Sequence, residues 1–479
     1  MLLWPQPSCV LNSGEKPENY LSMSFVPRTS SFVTFFLSHV TCHVFFVTRH
    51  ASRVTFFLSR VTLFLLASVF SSACFAVGIP TGNYCYDSSI KTIQVFKEGF
   101  ELSAPIIQLN STERLSISFD DLYPEIRRFK FTILHCESDW QTSSGLSVSD
   151  YIDGYTEENI DHFEYSYNTT TKYTHFQTSF PTENMRPKIS GNYLLIVYDE
   201  DPAKVVFTAR FMVVEPTGVV SEGKIVQSTR NEDHLTHQQI DFVVRLNGFT
   251  VRDVDREIRV VLQQNGRWDN NLLLTRPRFA RTDELDYRYD ESISFNGGNQ
   301  FRSFDIKSLV YQSERIAKIS FDTANQVVLL YDMPRTFKQY TFEKDLNGRF
   351  YIKNEEHAQN SQTEADYAWV HLFLPYPAPI TLGDFHLVGE LTGWQLNDRS
   401  LMKFNATRKG YELNLFLKQG FYNYMYVLKE KGKTAGDESF IEGNHWETEN
   451  EYTVYVYFHE TGSLYDRLIA VNFINALQP

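Results

Sequence analysis

Short runs in which apolar and polar residues alternate, each closed by Gly, Asn, Asp or Pro, fill most of this chain and leave it little choice but β structure. RLSISF (Arg114–Phe119), FKFTIL (Phe129–Leu134), THFQTSF (Thr174–Phe180), GNYLLIVY (Gly191–Tyr198) and VVFTARFMVV (Val205–Val214) are the clearest early examples. Alternation places successive side chains on opposite faces, so one face packs and the other meets solvent. No long stretch repeats its apolar residues at the helical spacing. The 39 Phe and 27 Tyr against 7 Met point the same way, because aromatic rings suit a pleated, half-buried surface. The fold class is therefore all-β, as tandem immunoglobulin-like or early-set β-sandwich domains.

Punctuation divides the chain. The first sandwich is expected at 77–215, where YDEDPAK (Tyr198–Lys204) forms a polar hairpin loop and Pro216-Thr217-Gly218 ends the pattern. A second, at 216–353, contains QIDFVVRLNG (Gln239–Gly248), EIRVVLQQNG (Glu257–Gly266), IAKISF (Ile316–Phe321) and NQVVLLY (Asn325–Tyr331). The polar NEEHAQNSQT (Asn354–Thr363) reads as a linker. A third, at 364–479, contains FHLVGELTGWQ (Phe385–Gln395), GYELNLFLKQGFYNYMYVL (Gly410–Leu428) and YTVYVYF (Tyr452–Phe458).

Residues 1–76 form a leader. VTLFLLASVFSSACFA (Val61–Ala76), preceded by Arg53 and Arg60, has the n-region, apolar core and small-residue end of a secretory signal, with cleavage expected after Ala76. Ser71 stands where a lipoprotein signal ending at Cys74 would want an aliphatic residue. VTFFLSHVT (Val33–Thr41) recurs as VTFFLSRVT (Val54–Thr62) and then stops. A start codon placed too far upstream is the reading adopted for that segment. The mature chain carries no apolar run that would span a membrane as a helix.

Of 45 Lys and Arg and 58 Asp and Glu, the leader holds five and two, leaving a net charge of −16. Such a surface repels phosphate backbones, which excludes nucleic-acid binding. Two cysteines remain, Cys85 and Cys136, and their pairing is left open.

HCESDW (His135–Trp140) is the densest cluster of reactive side chains. On a continuing strand, His135 and Cys136 face opposite ways and cannot form a nucleophile–base pair. His135 and Glu137 could share a face, but two ligands do not make a metal site. The acids Asp199, Glu200 and Asp201 read as a solvated hairpin tip, and Asp120-Asp121 and Glu157-Glu158 as isolated pairs. GxSxG, HExxH, Walker and CxxC motifs are absent from the sequence. No catalytic residue, cofactor or metal is therefore assigned, and the chain is not expected to be an enzyme.

LSISFDDLYPEIRRFKFTILHCESDW, followed by DYIDGY, FEYSYNTTTKYTHFQTSFP and SGNYLLIVYDEDPAKVVFTARFMVVE, resembles the N-terminal domain of the type 9 secretion system plug family of Bacteroidota. The HC-x-x-DW and YTH-x-x-x-x-FP elements carry it most specifically, and EGNHWETENEYTVYVYF with LYDRLIAV is similar to the family's ending. The resemblance implies a periplasmic subunit at the inner face of the outer membrane. Its partner would be the SprA/Sov-type β-barrel translocon, which it occludes between export events. A second resemblance, of the third block to early-set, glycogen-binding-type sandwiches, rests on VG-x-x-x-x-W. It implies a periplasmic carbohydrate-binding protein, with Trp394 as the glycan or interface contact. A turn Trp packed against its own sandwich is the favoured reading of that residue.

Overall fold

The computed structural model describes residues 79–356 and 359–475. Ala76 and the leader repeat lie outside the described residues. Three apolar cores organise the rest, each between two mainly antiparallel sheets, so the chain is all-β as its alternation predicts.

The first sandwich follows the sequence closely. One sheet runs Tyr84–Cys85, Val205–Val214, Gly191–Asp199, Phe129–Cys136, Glu158–Ile160, with Ile106–Gln108 added parallel to Val205–Val214. The facing sheet runs Ile90–Lys97, Leu115–Asp121, Thr174–Phe180, His162–Tyr165. Between them Phe119, Phe129, Phe176 and Phe207 are buried with ring centroids about 5 Å apart. Cys85 and Cys136 are both free thiols.

The second and third blocks are interleaved. Ile258–Gln264 pairs with Glu451–Phe458, and Arg467–Asn475 extends that sheet. The sheet closes over Val220–Gln227 and His237–Arg245, so one core holds Phe242, Val260 and Leu262 together with Tyr452, Val454 and Ile469. Ile316–Phe321 and Asn325–Leu329, expected in the second sandwich, instead extend a sheet with Tyr367–Pro375, Gly410–Lys418 and Lys403–Asn405. Thus the sheets cross the expected divisions at 216–353 and 364–479, and the third sandwich interrupts the second. Alternation identifies a strand but not its partner, and here the partner of Ile258 is Phe458.

Candidate functional site

Each pair of sandwiches meets across buried charge. Between the first and third, Asp120 and Lys418 are both 0% exposed, with Nζ 2.6 Å from Oδ2. The strand Leu115–Asp121 is buried along its whole length, so Asp120 points into protein on either face. His175 Nδ1 lies 2.6 Å from Asp120 Oδ1, and the Tyr367 hydroxyl donates to Oδ2 at 2.6 Å. Burial alone would raise the Asp120 carboxyl, but the Lys418 charge and His175 bring it below the ordinary carboxylate value. Lys418 also donates to the Gln362 carbonyl at 2.5 Å and lies 4.2 Å from the centre of the Tyr173 ring.

Between the first and second sandwiches the HCESDW segment does the joining. Ser138 N–H donates to Asp466 Oδ2 at 3.0 Å, and Asp466 N–H to Glu137 Oε2 at 2.8 Å. Trp140, with φ 66°, sits edge-to-face on Trp268 at 5.1 Å. The Arg210 guanidinium lies 4.2 Å from Trp140 and 5.2 Å from Trp268, and burial lowers its pKa to about 10. Asn192 bridges the junction as well, donating to the Glu137 carbonyl and accepting from the Tyr457 hydroxyl, each at 2.8 Å.

Between the second and third, Arg267 is 2% exposed. It reaches Glu438 at 2.7 Å, Asp269 at 2.8 Å and the Gly436 carbonyl at 2.8 Å. Every one of its polar neighbours is an acceptor, the arrangement a buried guanidinium needs.

A cleft of about 650 Å³ opens where the three sandwiches meet. Tyr84 and Arg210 line it from the first, Trp268 and Tyr455 from the second, Glu390 and Trp394 from the third. Burial raises the Glu390 carboxyl to about 7, only partly offset by the Phe350 N–H donating to it at 3.1 Å. Trp394 is half-buried at φ 60°, edge-to-face with Phe301 at 5.9 Å. Its indole passes so close to Gly348 that a Cβ there would stand 2.2 Å from the ring. Part of Trp394 therefore packs on its own sandwich, and part faces the cleft.

The sequence-level candidates separate on this geometry. His135 and Cys136 are buried consecutive residues of one strand. His135 Nδ1 is 2.7 Å from Ser143 Oγ, Nε2 is 3.2 Å from the Ser190 carbonyl, and burial lowers the ring to about 4. Burial raises the Cys136 thiol to about 12. Neither group is poised for nucleophilic work at neutral pH. Glu137, His459 and Asp466 present ligand-type atoms within 4.8 Å of one another. Yet Asp466 already accepts from Ser138 N–H and His459 and pairs with Arg259 at 3.2 Å, so a cation is supplied by the protein itself. Glu200 and Asp201 are exposed on their hairpin tip and Glu157 pairs with Lys130, as solvated acids do. Asp120 and Asp121 are not isolated: the first joins two sandwiches and the second pairs with Arg127 at 2.7 Å. An acid inside the apolar LSISFDD run and a lysine inside LFLKQG were the available signals, since unpaired charges are rarely tolerated there.

Elsewhere, Phe337 is 101% exposed on a turn that is itself well held. Lys338 N–H closes the turn on the Arg335 carbonyl at 2.9 Å. Arg335 pairs with Glu442 at 2.8 Å, and Thr336 Oγ1 donates to the Phe440 carbonyl at 2.7 Å. No helix among the described residues is long and apolar enough to cross a membrane.

Residues 90–215 match the family described as type 9 secretion system plug protein 1st domain. A crystal structure of a hypothetical protein from Parabacteroides merdae is 33% identical with a TM-score of 0.80, covering 83% of this chain and 100% of that one. The alkylpurine DNA glycosylase AlkC of Pseudomonas fluorescens (11% identical, TM-score 0.15, 26% of this chain and 30% of that one) carries no argument. Nor does the C-terminal domain of the antigen I/II-family protein AspA of Streptococcus pyogenes (7%, TM-score 0.14, 80% and 99%). No curated protein matches. The matched segment contains both the HC-x-x-DW and the YTH-x-x-x-x-FP elements, the two that build the first sandwich's junctions, and on that match and the full-length likeness the chain belongs to the type 9 secretion system plug family.

Proposed function

We propose that this protein is a periplasmic plug that reversibly occludes the SprA/Sov-type outer-membrane translocon of the type 9 secretion system. Family membership ties it to that secretion machinery in the cell envelope. The observation that carries the finer reading is the set of three junctions, each holding a buried charged group: the Asp120–Lys418 pair, the Asp466 carboxylate accepting from Ser138 N–H, and the Arg267–Glu438 pair. Closing a wide pore calls for a body whose parts keep their mutual orientation, because a loosely jointed one would leak and lose ordering entropy on every closure. Buried ion pairs fix orientation even where they add little stability. No catalytic step belongs to this reading, since His135, Cys136 and Glu137 are engaged in packing and joining.

The plug must also leave, so its contact with the barrel is of standard rather than obligate size and partly electrostatic. With −16 on the mature chain, that contact includes basic residues of the barrel and weakens with salt. The test is affinity purification of the tagged native protein from envelopes. A large barrel should co-purify at low salt and be released at high salt, and a deletion strain should admit large solutes. Unchanged permeability in the deletion strain, together with salt-independent association, contradicts the reading. Retention of the purified protein on glucan resin would favour carbohydrate binding through Trp394 instead.

A further inference from the structure

We propose that the His162–Tyr165 strand is a docking edge that accepts a basic, extended segment of another polypeptide by β-strand addition. Among the described residues the strand ends its sheet and pairs only with Thr174–Phe180, and all four of its residues are exposed. Ser166 N–H donates to the Tyr173 carbonyl, which fixes the alternation of the ladder. Counting back from that pair, Glu164 and His162 turn their backbone groups towards the neighbouring strand, and Phe163 and Tyr165 turn theirs outward. Among the described residues no backbone group meets those outward N–H and C=O groups.

One step further along the same outward side, Tyr167 N–H donates to the Thr363 carbonyl at 2.9 Å. The molecule thus already docks a backbone segment of its third sandwich at the end of this edge, and the open positions continue that contact. Natural edges are blunted by short length, charged side chains (especially Lys), Pro or a bulge. This four-residue strand carries one charge, Glu164, which repels acidic but not basic partners. It has no Lys, Pro or bulge, and its register is unbroken.

Side chains specify the occupant. Phe163 and Tyr165 lie on the core-facing side, where Phe163 touches Phe176 at 5.8 Å, yet they remain 39% and 60% exposed. An added strand would cover both rings. On the opposite face stands Glu164, and the run from Asp153 to Tyr167 holds five acids (Asp153, Glu157, Glu158, Asp161, Glu164) with no Lys or Arg. Glu157 is neutralised by Lys130; the others have no ion-pair partner among the described residues. A second copy of this chain would set acid against acid, so the fitting strand is basic and belongs to a different protein. The inference stands apart from the gating reading, because it concerns an edge and not the identity of the barrel.

The probe is an octapeptide of alternating Lys and Val, compared with alternating Glu and Val and with a Lys–Val peptide N-methylated at every second residue. Hydrogen exchange of the mature protein reads the outcome. The Lys–Val peptide should slow exchange at Phe163 and Tyr165, and the other two should not. Glu164→Lys should weaken binding by about tenfold with unchanged melting, since the side chain is exposed. The proposal is overturned if the Lys–Val peptide leaves both amides unprotected, or if the methylated peptide binds as well as the unmethylated one. It is equally overturned if the edge instead forms a dimer of this chain at working concentration.

Discussion

Replacing Lys418 with Met removes one charge of a pair that is 0% exposed on both sides and spans two sandwiches. At a separation of 2.6 Å the attraction is about 6 kcal/mol for an effective dielectric of about 20. The Asp120 carboxylate left behind keeps His175 and the Tyr367 hydroxyl but loses its full counter-charge. Breaking a buried pair from one side costs about 3–5 kcal/mol, and that is the expected loss for Lys418→Met. Neutralising both, with Asp120→Asn and Lys418→Met together, should recover about 2–3 kcal/mol of the summed single losses, because no bare charge then remains. Denaturant unfolding followed by tryptophan fluorescence measures all four corners of the cycle. The pH dependence has a defined sign. Asp120 is held below the ordinary carboxylate value, so its contribution is complete above that value and is lost as pH falls through the depressed one, while burial lowers Lys418 and sets the alkaline limit of the pair. A cost below about 1 kcal/mol for Lys418→Met, or strict additivity in the cycle, would refute the reasoning.

Two further expectations concern the cleft. Glu390 is raised by burial to about 7, so its stabilising form is complete below about pH 4.5 and disappears as pH rises through 7. Glu390→Gln should therefore be more stable to unfolding than the parent at pH 8, by about 1–3 kcal/mol, and gain nothing at pH 4.5; equal gains at both would contradict the assignment. Trp394→Ala should cost about 2 kcal/mol, less than a fully buried indole, because only part of the ring packs on Phe301 and Gly348. If Trp394→Ala abolished retention on glucan resin without changing melting, the indole would be a sugar platform and not a packing residue.

In the first sandwich the strands themselves were legible, and so was the one pairing closed by a short loop, whereas Tyr84–Cys85 and Ile106–Gln108 find their partner more than 100 residues away. Gly191–Asp199 pairs with Val205–Val214 through the YDEDPAK loop, and periodicity with turn chemistry suffices to predict that. The second sandwich was not, because Ile258–Gln264 finds its partner at Glu451–Phe458, across an inserted domain, and no local pattern encodes so distant a choice. HCESDW was singled out for its reactive side chains and read as structural, but what it holds lay beyond the sequence. Strand alternation argues against a His135–Cys136 nucleophile pair, but only the tertiary structure shows Ser138, Glu137 and Trp140 holding another sandwich. Asp120 was read as half of an isolated acidic pair because an Asp-Asp pair at a strand end looks solvated, and only tertiary structure brings Lys418 to it.

The arrangement of the junctions bears on how such a body could hold its shape. Three bodies joined pairwise form a closed ring, so losing one junction leaves every sandwich attached through the other two. The second and third are further bound by two chain crossings, at 296–302 and 442–451, because one is inserted into the other. A hinge motion of the first sandwich would thus have to break both the Asp120–Lys418 and the Asp466–Ser138 contacts at once. Apolar junctions could have supplied comparable adhesion, but they tolerate sliding and rotation better than a carboxylate fixed by three directed partners. Directed charge at each junction, reinforced by the Trp140–Trp268 and Tyr173–Tyr367 contacts, suits a subunit that moves into and out of a pore as one piece.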